Sequence, residues 1–317
     1  MLPLFEDPSP GFRAGLAQAL GRLAAENVLI GTSSWKYEGW LGQVYSAGRY
    51  LSHGNFSQKR FQNECLAEYA ETFPVVCGDF SFYQFPSADY WKRLFNSAPE
   101  GLRFALKVPE EITRKTFPTH ERYGARAGVG NESFLNAGML NAMFLEPLRP
   151  YEHRIPVLMF EFGAFSRVDY GHLREFVGDL DRFFGAIPRD FRYAVEVRNP
   201  HLLADEYFDC LRSHGVPHVF NAWTHMPELS AQIEMPRSFA GDFTVCRALL
   251  RRGRPYAEAV KKFSPYERVL EPNPGTREAV RALIGRARAN RQPAYIFVNN
   301  RLEGNAPGTI WGIVGES

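Results

Sequence analysis

Short runs of β-branched and aromatic residues recur along the chain, each bounded by glycine, proline or polar clusters. They lie at Val28 to Ser33, Val75 to Phe82, Leu102 to Val108, Ile155 to Phe162, Phe191 to Arg198, Pro217 to Trp223, Asp242 to Leu249 and Ala294 to Asn300. Each reads as a strand. Between them apolar residues fall at helical spacing over Phe61 to Phe73, Ser87 to Ala98, Asn131 to Leu148, Asp169 to Phe184, Glu206 to Ser213 and Thr276 to Asn290. Ser87 is placed to cap its helix. The last segment carries Ala279, Val280, Leu283, Ile284 and Ala287 on one side and arginines on the other, as a surface helix does. A further helical stretch, Phe12 to Asn27, precedes the first strand and is expected to pack under or beside the sheet.

Strands alternating with helices pair in parallel through right-handed crossovers, and eight of them close a β/α barrel. The expected fold is therefore α/β, a (β/α)8 TIM-type barrel with an extra N-terminal helix and long loops at its C-terminal face. An open doubly wound sheet is the runner-up. It is disfavoured because the first strand runs into GTSSWKYEGW, which has no GxGxxG phosphate-loop glycines. No repeat or dividing linker is visible, so residues 1–317 are read as a single domain. Within it, 1–27 form an N-terminal extension, 28–307 the barrel and 308–317 a C-terminal tail. Three connections are long, Trp35 to Arg60, Pro109 to Gly130 and Leu250 to Asn273, and barrels keep binding elements in such loops.

Charge narrows the partners. The chain has 37 Lys and Arg against 35 Asp and Glu, a formal net charge of +2, far from the basic footprint of a dedicated nucleic-acid binder. The start, MLPLFEDPSPGF, has no basic n-region and is broken by Pro3, Glu6, Asp7 and Pro8, so it does not read as a signal peptide. No apolar run reaches membrane-spanning length. Cys65, Cys77, Cys210 and Cys246 are scattered without CxxC spacing and read as reduced, buried thiols. A cytoplasmic location is expected.

Five blocks occur in order over Val28 to Pro307: IGTSSWKYEGW followed by VYS, GDFSFYQFPSADYWKRL, GLRFALKVPEEIT, YAVEVRNP and FVNNRLEGNAP. Together they resemble the YecE-like proteins, the domain of unknown function 72 family. That resemblance implies an eight-stranded TIM-type barrel with no firmly established reaction or cofactor. The fourth strand reads LMFEFGAF where the family usually shows Gln followed by a Pro-Pro pair. The seventh reads VCRALLR where it tends to have Arg-x-His-Gly. These departures mark a divergent subgroup.

Candidate chemistry follows from strand parity. In AVEVR, Val195 and Val197 take the helix side and leave Glu196 and Arg198 facing the lumen. The same reading turns Lys107, Asp79, Glu161, Arg247, Asn221 and one or both of Asn299 and Asn300 inward, near the strand C-termini where barrel active sites are built. Glu196 is the preferred proton-transfer group, with Lys107 and Asp79 beside it as catalytic candidates. Arg198 and Arg247 offer forks for carboxylate or phosphate. Glu161, Asn221, Asn299, Asn300, Trp35 and Tyr83 are read as substrate-binding. The competing reading is a charge-neutral structural network of Lys107, Arg198 and Arg247 with Asp79, Glu161 and Glu196. The aromatics Trp35, Tyr37, Trp40 and Tyr45 read either as stacking platforms or as loop packing.

No HxH or HExxH spacing is present, so no metal ligands are assigned and no cofactor is expected; a divalent metal on Asp79, Glu161 and Glu196 is not favoured beside three cations. The expected partner is a small anionic, phosphorylated or sugar-containing molecule, handled by acid/base chemistry. Two alternatives stand beside it: a metal-assisted phosphodiester or glycosidic hydrolase, and a non-catalytic nucleic-acid or protein-binding module using Arg251, Arg252, Arg254, Lys261 and Lys262. Oligomeric state is not legible.

Overall fold

The structure, a computed structural model, describes residues 10–315. Eight short strands form its centre. They are β1 (Val28–Thr32), β2 (Val75–Gly78), β3 (Arg103–Lys107), β4 (Leu158–Phe162), β5 (Tyr193–Val197), β6 (Val219–Ala222), β7 (Thr244–Ala248) and β8 (Ala294–Val298). Their order around one sheet is β5-β4-β3-β2-β1-β8-β7-β6, with every paired neighbour parallel. Among the described residues one backbone bridge, between Val195 and His218, joins the two ends, where the Val195 N–H donates to the Pro217 carbonyl at 3.0 Å and Asn221 Nδ2 donates to the Val197 carbonyl at 3.3 Å. The result is the TIM-type barrel that the alternation of elements predicts.

The seam between β5 and β6 has a local cause. The side-chain amide of Gln232, in the helix Leu229–Glu234, takes both backbone groups of Asn221: its Oε1 accepts from the Asn221 N–H at 3.1 Å and its Nε2 donates to the Asn221 carbonyl at 2.7 Å. Those backbone groups share an edge of β6 with the Pro217 carbonyl, two strand periods away, so the amide stands where a β5 residue would otherwise pair.

Parity sorts the core into two bodies. Val75, Cys77, Ala105, Met159, Ala194, Val219, Val245 and Phe297 pack together inside the ring. Their strand neighbours Val76, Phe104, Leu106, Phe160, Val195, Phe220, Cys246 and Ile296 join the larger core beneath the helices. Gly31 is needed where β1 meets β2, because a Cβ there would lie 1.8 Å from the Val75 carbonyl oxygen.

The helices match their predicted cores. Ser87 caps Ala88–Ser97 by accepting from the Tyr90 N–H at 3.2 Å, and all five expected apolar residues of Pro274–Asn290 are buried. The N-terminal helix, Pro10–Ala25, contacts β1 and a last helix, Ala306–Val314, through Phe12 against Trp311. Residues from 308 onward, read as a tail, are thus helical to Val314 and bury Ile310 and Ile313.

Two elements differ from expectation. The predicted helix Asn131 to Leu148 begins only at Ala137, where Asn136 caps it, and runs on through Ala137–Leu140, a wider turn Asn141–Leu145 and Glu146–Leu148 with helical backbone at each junction. Leu135, at φ 51°, turns the chain just before it. The second strand stops at Gly78 instead of Phe82, because the backbone turns there, with the Phe82 N–H donating to the Asp79 carbonyl at 3.0 Å; the Phe80 ring folds back over Gly78. In the first long connection Trp40 stacks on Tyr45, and Tyr45 and Tyr50 are buried against Phe61, so these aromatics pack the loop together.

Among the described residues no helix is long and apolar enough to cross a membrane. All four cysteines are buried free thiols, as their scatter predicts.

Candidate functional site

Two residues above the apolar plug, the inward position becomes polar or charged on seven of the eight strands. Cys77 is followed by Asp79, Ala105 by Lys107, Met159 by Glu161, Ala194 by Glu196 and then Arg198, Val219 by Asn221, Val245 by Arg247, and Phe297 by Asn299. The register sets a problem that the side chains solve. Glu161 and Glu196 are direct partners on β4 and β5, and like charges in that position repel. Arg247 reaches across the ring and places Nη1 between them, 2.5 Å from Glu161 Oε2 and in a still shorter contact with Glu196 Oε2.

The network extends from that arginine. Glu161 Oε2 also meets Lys107 Nζ at 2.8 Å and Arg198 Nη2 at 3.3 Å, so three cations converge on one oxygen. Arg198 Nη2 lies 2.7 Å from Glu196 Oε1, and its guanidinium is 3.9 Å from the Trp223 ring. Lys107 Nζ lies 2.7 Å from Asp79 Oδ1 and 4.9 Å from the Phe82 ring. Glu196, Arg247, Lys107 and Arg198 are buried, whereas the Asp79 side chain is 47% exposed at the rim. Among the described residues Arg198 Nη1, Arg247 Nε and Asn221 Oδ1 are buried without a hydrogen-bond partner, and Glu196 Oε1 meets Arg198 as an ion pair without hydrogen-bond geometry.

Electrostatics fixes several protonation states. Burial pushes the Glu161 carboxyl up, but Lys107, Arg198 and Arg247 together outweigh it and hold the group well below its ordinary value. For Lys107, burial and Arg247 press downward, yet Glu161 and Asp79 prevail and the amine stands above its ordinary value. Burial opposes the charge on Arg247, but Glu196 and Glu161 keep it firmly protonated. Beneath them the Cys77 thiol is pushed up to about 12 by burial and offers no thiolate. At neutral pH Lys107 is thus an ammonium that binds charge, and its amine is not free for Schiff-base chemistry.

The remaining candidates separate. Asn299 caps the turn Asn300–Glu303 through its Oδ1 and lines a cleft beside the mouth, together with Trp35. Asn300 lies on the opposite parity, and its Oδ1 accepts from Trp40 Nε1 at 3.2 Å and from the Ala306 N–H at 2.7 Å, pinning the first loop to the last helix. Tyr83 is 56% exposed under the Arg122 guanidinium and packs on Phe82, whose ring lies beside Lys107. The basic third connection is largely spent within itself. Arg254 and Lys262 both pair with Glu271, and Arg251 donates to the Pro272 carbonyl at 3.0 Å.

Trp223 and Ser33 belong to this region although neither was singled out from the sequence. Each lies two residues beyond an inward position, Asn221 and Gly31, so continuing the strand parity past the strand ends finds both.

Residues 29–312 match the family described as protein of unknown function DUF72. The fold resembles a DUF72 protein of Thermotoga maritima, with TM-score 0.59 and 18% identity over 91% of this chain and 98% of that one. It also resembles a DUF72 protein of Enterococcus faecalis, with TM-score 0.57 and 14% identity over 92% of this chain and 96% of that one. No curated protein matches. With the family matched over nearly its whole length and its barrel reproduced, this chain belongs to the DUF72 family.

Proposed function

We propose that the barrel mouth binds a small anionic compound, a carboxylate or phosphate ester, and acts on it by proton transfer without a metal ion. One observation carries this reading. Three buried cations, Lys107, Arg198 and Arg247, face the buried Glu196 and the largely buried Glu161, while the balancing carboxylate of Asp79 stands at the solvent edge. An anion that displaces Asp79 from Lys107 gains a buried ammonium and the unpartnered Arg198 Nη1 and Arg247 Nε. The carboxylates that a metal would need are each engaged by a cation instead.

Roles follow from position. Lys107, Arg198 and Arg247 bind charge. Asp79, in contact with both solvent and Lys107, exchanges the proton. Glu196, with a guanidinium on each carboxylate oxygen, holds the two arginines in place.

The test is thermal stabilisation by inorganic phosphate, phosphosugars, sugar acids and nucleotides. A ligand at about 100 times its Kd adds roughly 2.7 kcal/mol, several degrees in a chain of this length. Asp79→Ala removes the competing carboxylate and is expected to strengthen the response, and Lys107→Gln to abolish it. If no anion stabilises either the wild type or Asp79→Ala, the anion-binding reading is wrong.

A further inference from the structure

Beside the charged mouth lies a cleft of about 440 Å³ between the ends of β1, β2 and β8. Its size suits a small molecule. Asp79 forms part of its wall and also meets Lys107 Nζ at 2.7 Å, so cleft and ion network share one residue.

The lining carries unused polar groups. Ser33 and Trp35 are 5% and 7% exposed, yet among the described residues Ser33 Oγ and Trp35 Nε1 have no hydrogen-bond partner, and neither does Arg301 Nε. Leaving such groups unpaired is costly, so each is a place where a ligand gains. Their chemistry is mixed. The indole N–H and the guanidinium Nε only donate, the Asp79 carboxylate only accepts, and the serine hydroxyl does both. Phe80 and Tyr90 add flat apolar faces to the same wall. Donors, acceptors and aromatic faces around one small cleft match a ring bearing several hydroxyls, each of which can both give and receive a hydrogen bond.

We infer that this cleft is a subsite for a polyhydroxylated group, so that the ligand is bipartite: an anion on Lys107 and the arginines, and a sugar-like portion against Ser33, Trp35 and Asp79. The bipartite arrangement rests on the anion-binding reading above, whereas the cleft can be tested separately.

The experiment is titration calorimetry of the full chain with inorganic phosphate, with free hexoses and pentoses, with their monophosphates, and with adenosine monophosphate. At least one sugar monophosphate is expected to bind about tenfold more tightly than inorganic phosphate. Ser33→Ala and Trp35→Phe should each weaken that ligand about fivefold and leave phosphate unchanged. Ser33→Ala removes only an unpartnered hydroxyl, so its melting temperature should not fall, which guards against a folding artefact. If phosphate binds and no sugar monophosphate improves on it, the subsite is overturned and the anion centre stands. If free sugars bind in a Ser33-dependent way and phosphate does not, the anion centre is overturned and the subsite stands. Binding of adenosine monophosphate with no response to any sugar monophosphate would overturn the polyol assignment, and no binding at all would overturn both.

Discussion

A carboxylate that receives three cations on one oxygen, as Glu161 does, is ordered by charge more than by packing. Such a network contributes little net stability when whole but is expensive to break, because removing one member leaves another buried and unpaired. Glu196→Gln, which leaves Arg247 and Arg198 short of a countercharge, is therefore expected to cost about 3 kcal/mol in urea denaturation. The pH limits follow from the two directions of shift. Glu161, lowered in the folded state, contributes stability that is present above the ordinary carboxylate range and lost as pH falls through its depressed value. Lys107, raised, contributes stability that is present below its ordinary value and lost as pH rises through the elevated one. The network is intact across the neutral range and fails at both extremes. Most of it was legible in the sequence, since the period of two between apolar neighbours turned Asp79, Lys107, Glu161, Glu196, Arg198 and Arg247 to one side. What parity could not supply was distance. It did not show that Glu161 and Glu196 share a register position, that Arg247 reaches across to both, or that Asn300 spends its carbonyl on Trp40.

At the level of elements, each strand is only four or five residues long, so a single intolerable atom is felt by the whole strand. Gly31→Ala would drive a Cβ against the Val75 carbonyl, and a loss of more than about 3 kcal/mol is expected in thermal melting. His218, just before β6, is buried between Tyr207 and Gln232, and burial pushes its imidazole down to about 4. The unfolded chain then binds the proton that the folded chain refuses. Stability should fall as pH drops from the ordinary value of 6.5 towards 4, by on the order of 3 kcal/mol in total. His218→Asn should flatten that slope in denaturation curves taken at several pH values, whatever it does to stability at pH 7. Strands and amphipathic helices were legible because their periods are strong. Asn131 to Leu148 is helical only from Ala137 because Leu135, at φ 51°, turns the chain just before it, which apolar spacing does not reveal. The early stop of β2 comes from a turn between Asp79 and Phe82, which apolar and aromatic spacing does not encode.

For the molecule as a whole, near balance of charge is repeated locally: even the basic connection from Leu250 to Asn273 neutralises much of itself on Glu271. Binding of a single-stranded oligonucleotide at physiological salt is therefore expected to be weak, and no weaker after Lys261→Glu; a strong, salt-sensitive affinity lost in that variant would favour the binding-module alternative. The fold was legible because eight strands alternating with helices leave few ways to close. The seam was not, because it turns on one glutamine from a helix. That glutamine bears on how the ring breathes. β8 is held by five-residue ladders on both flanks, whereas the β5 flank of β6 relies on the bridge at Val195, one side-chain bond from Asn221 Nδ2 to the Val197 carbonyl and the Gln232 amide. In deuterium exchange from the native state, the Asn221 amide should therefore take up label well before those of β8, and Gln232→Leu should hasten it further, making β6 the place where this barrel first unzips.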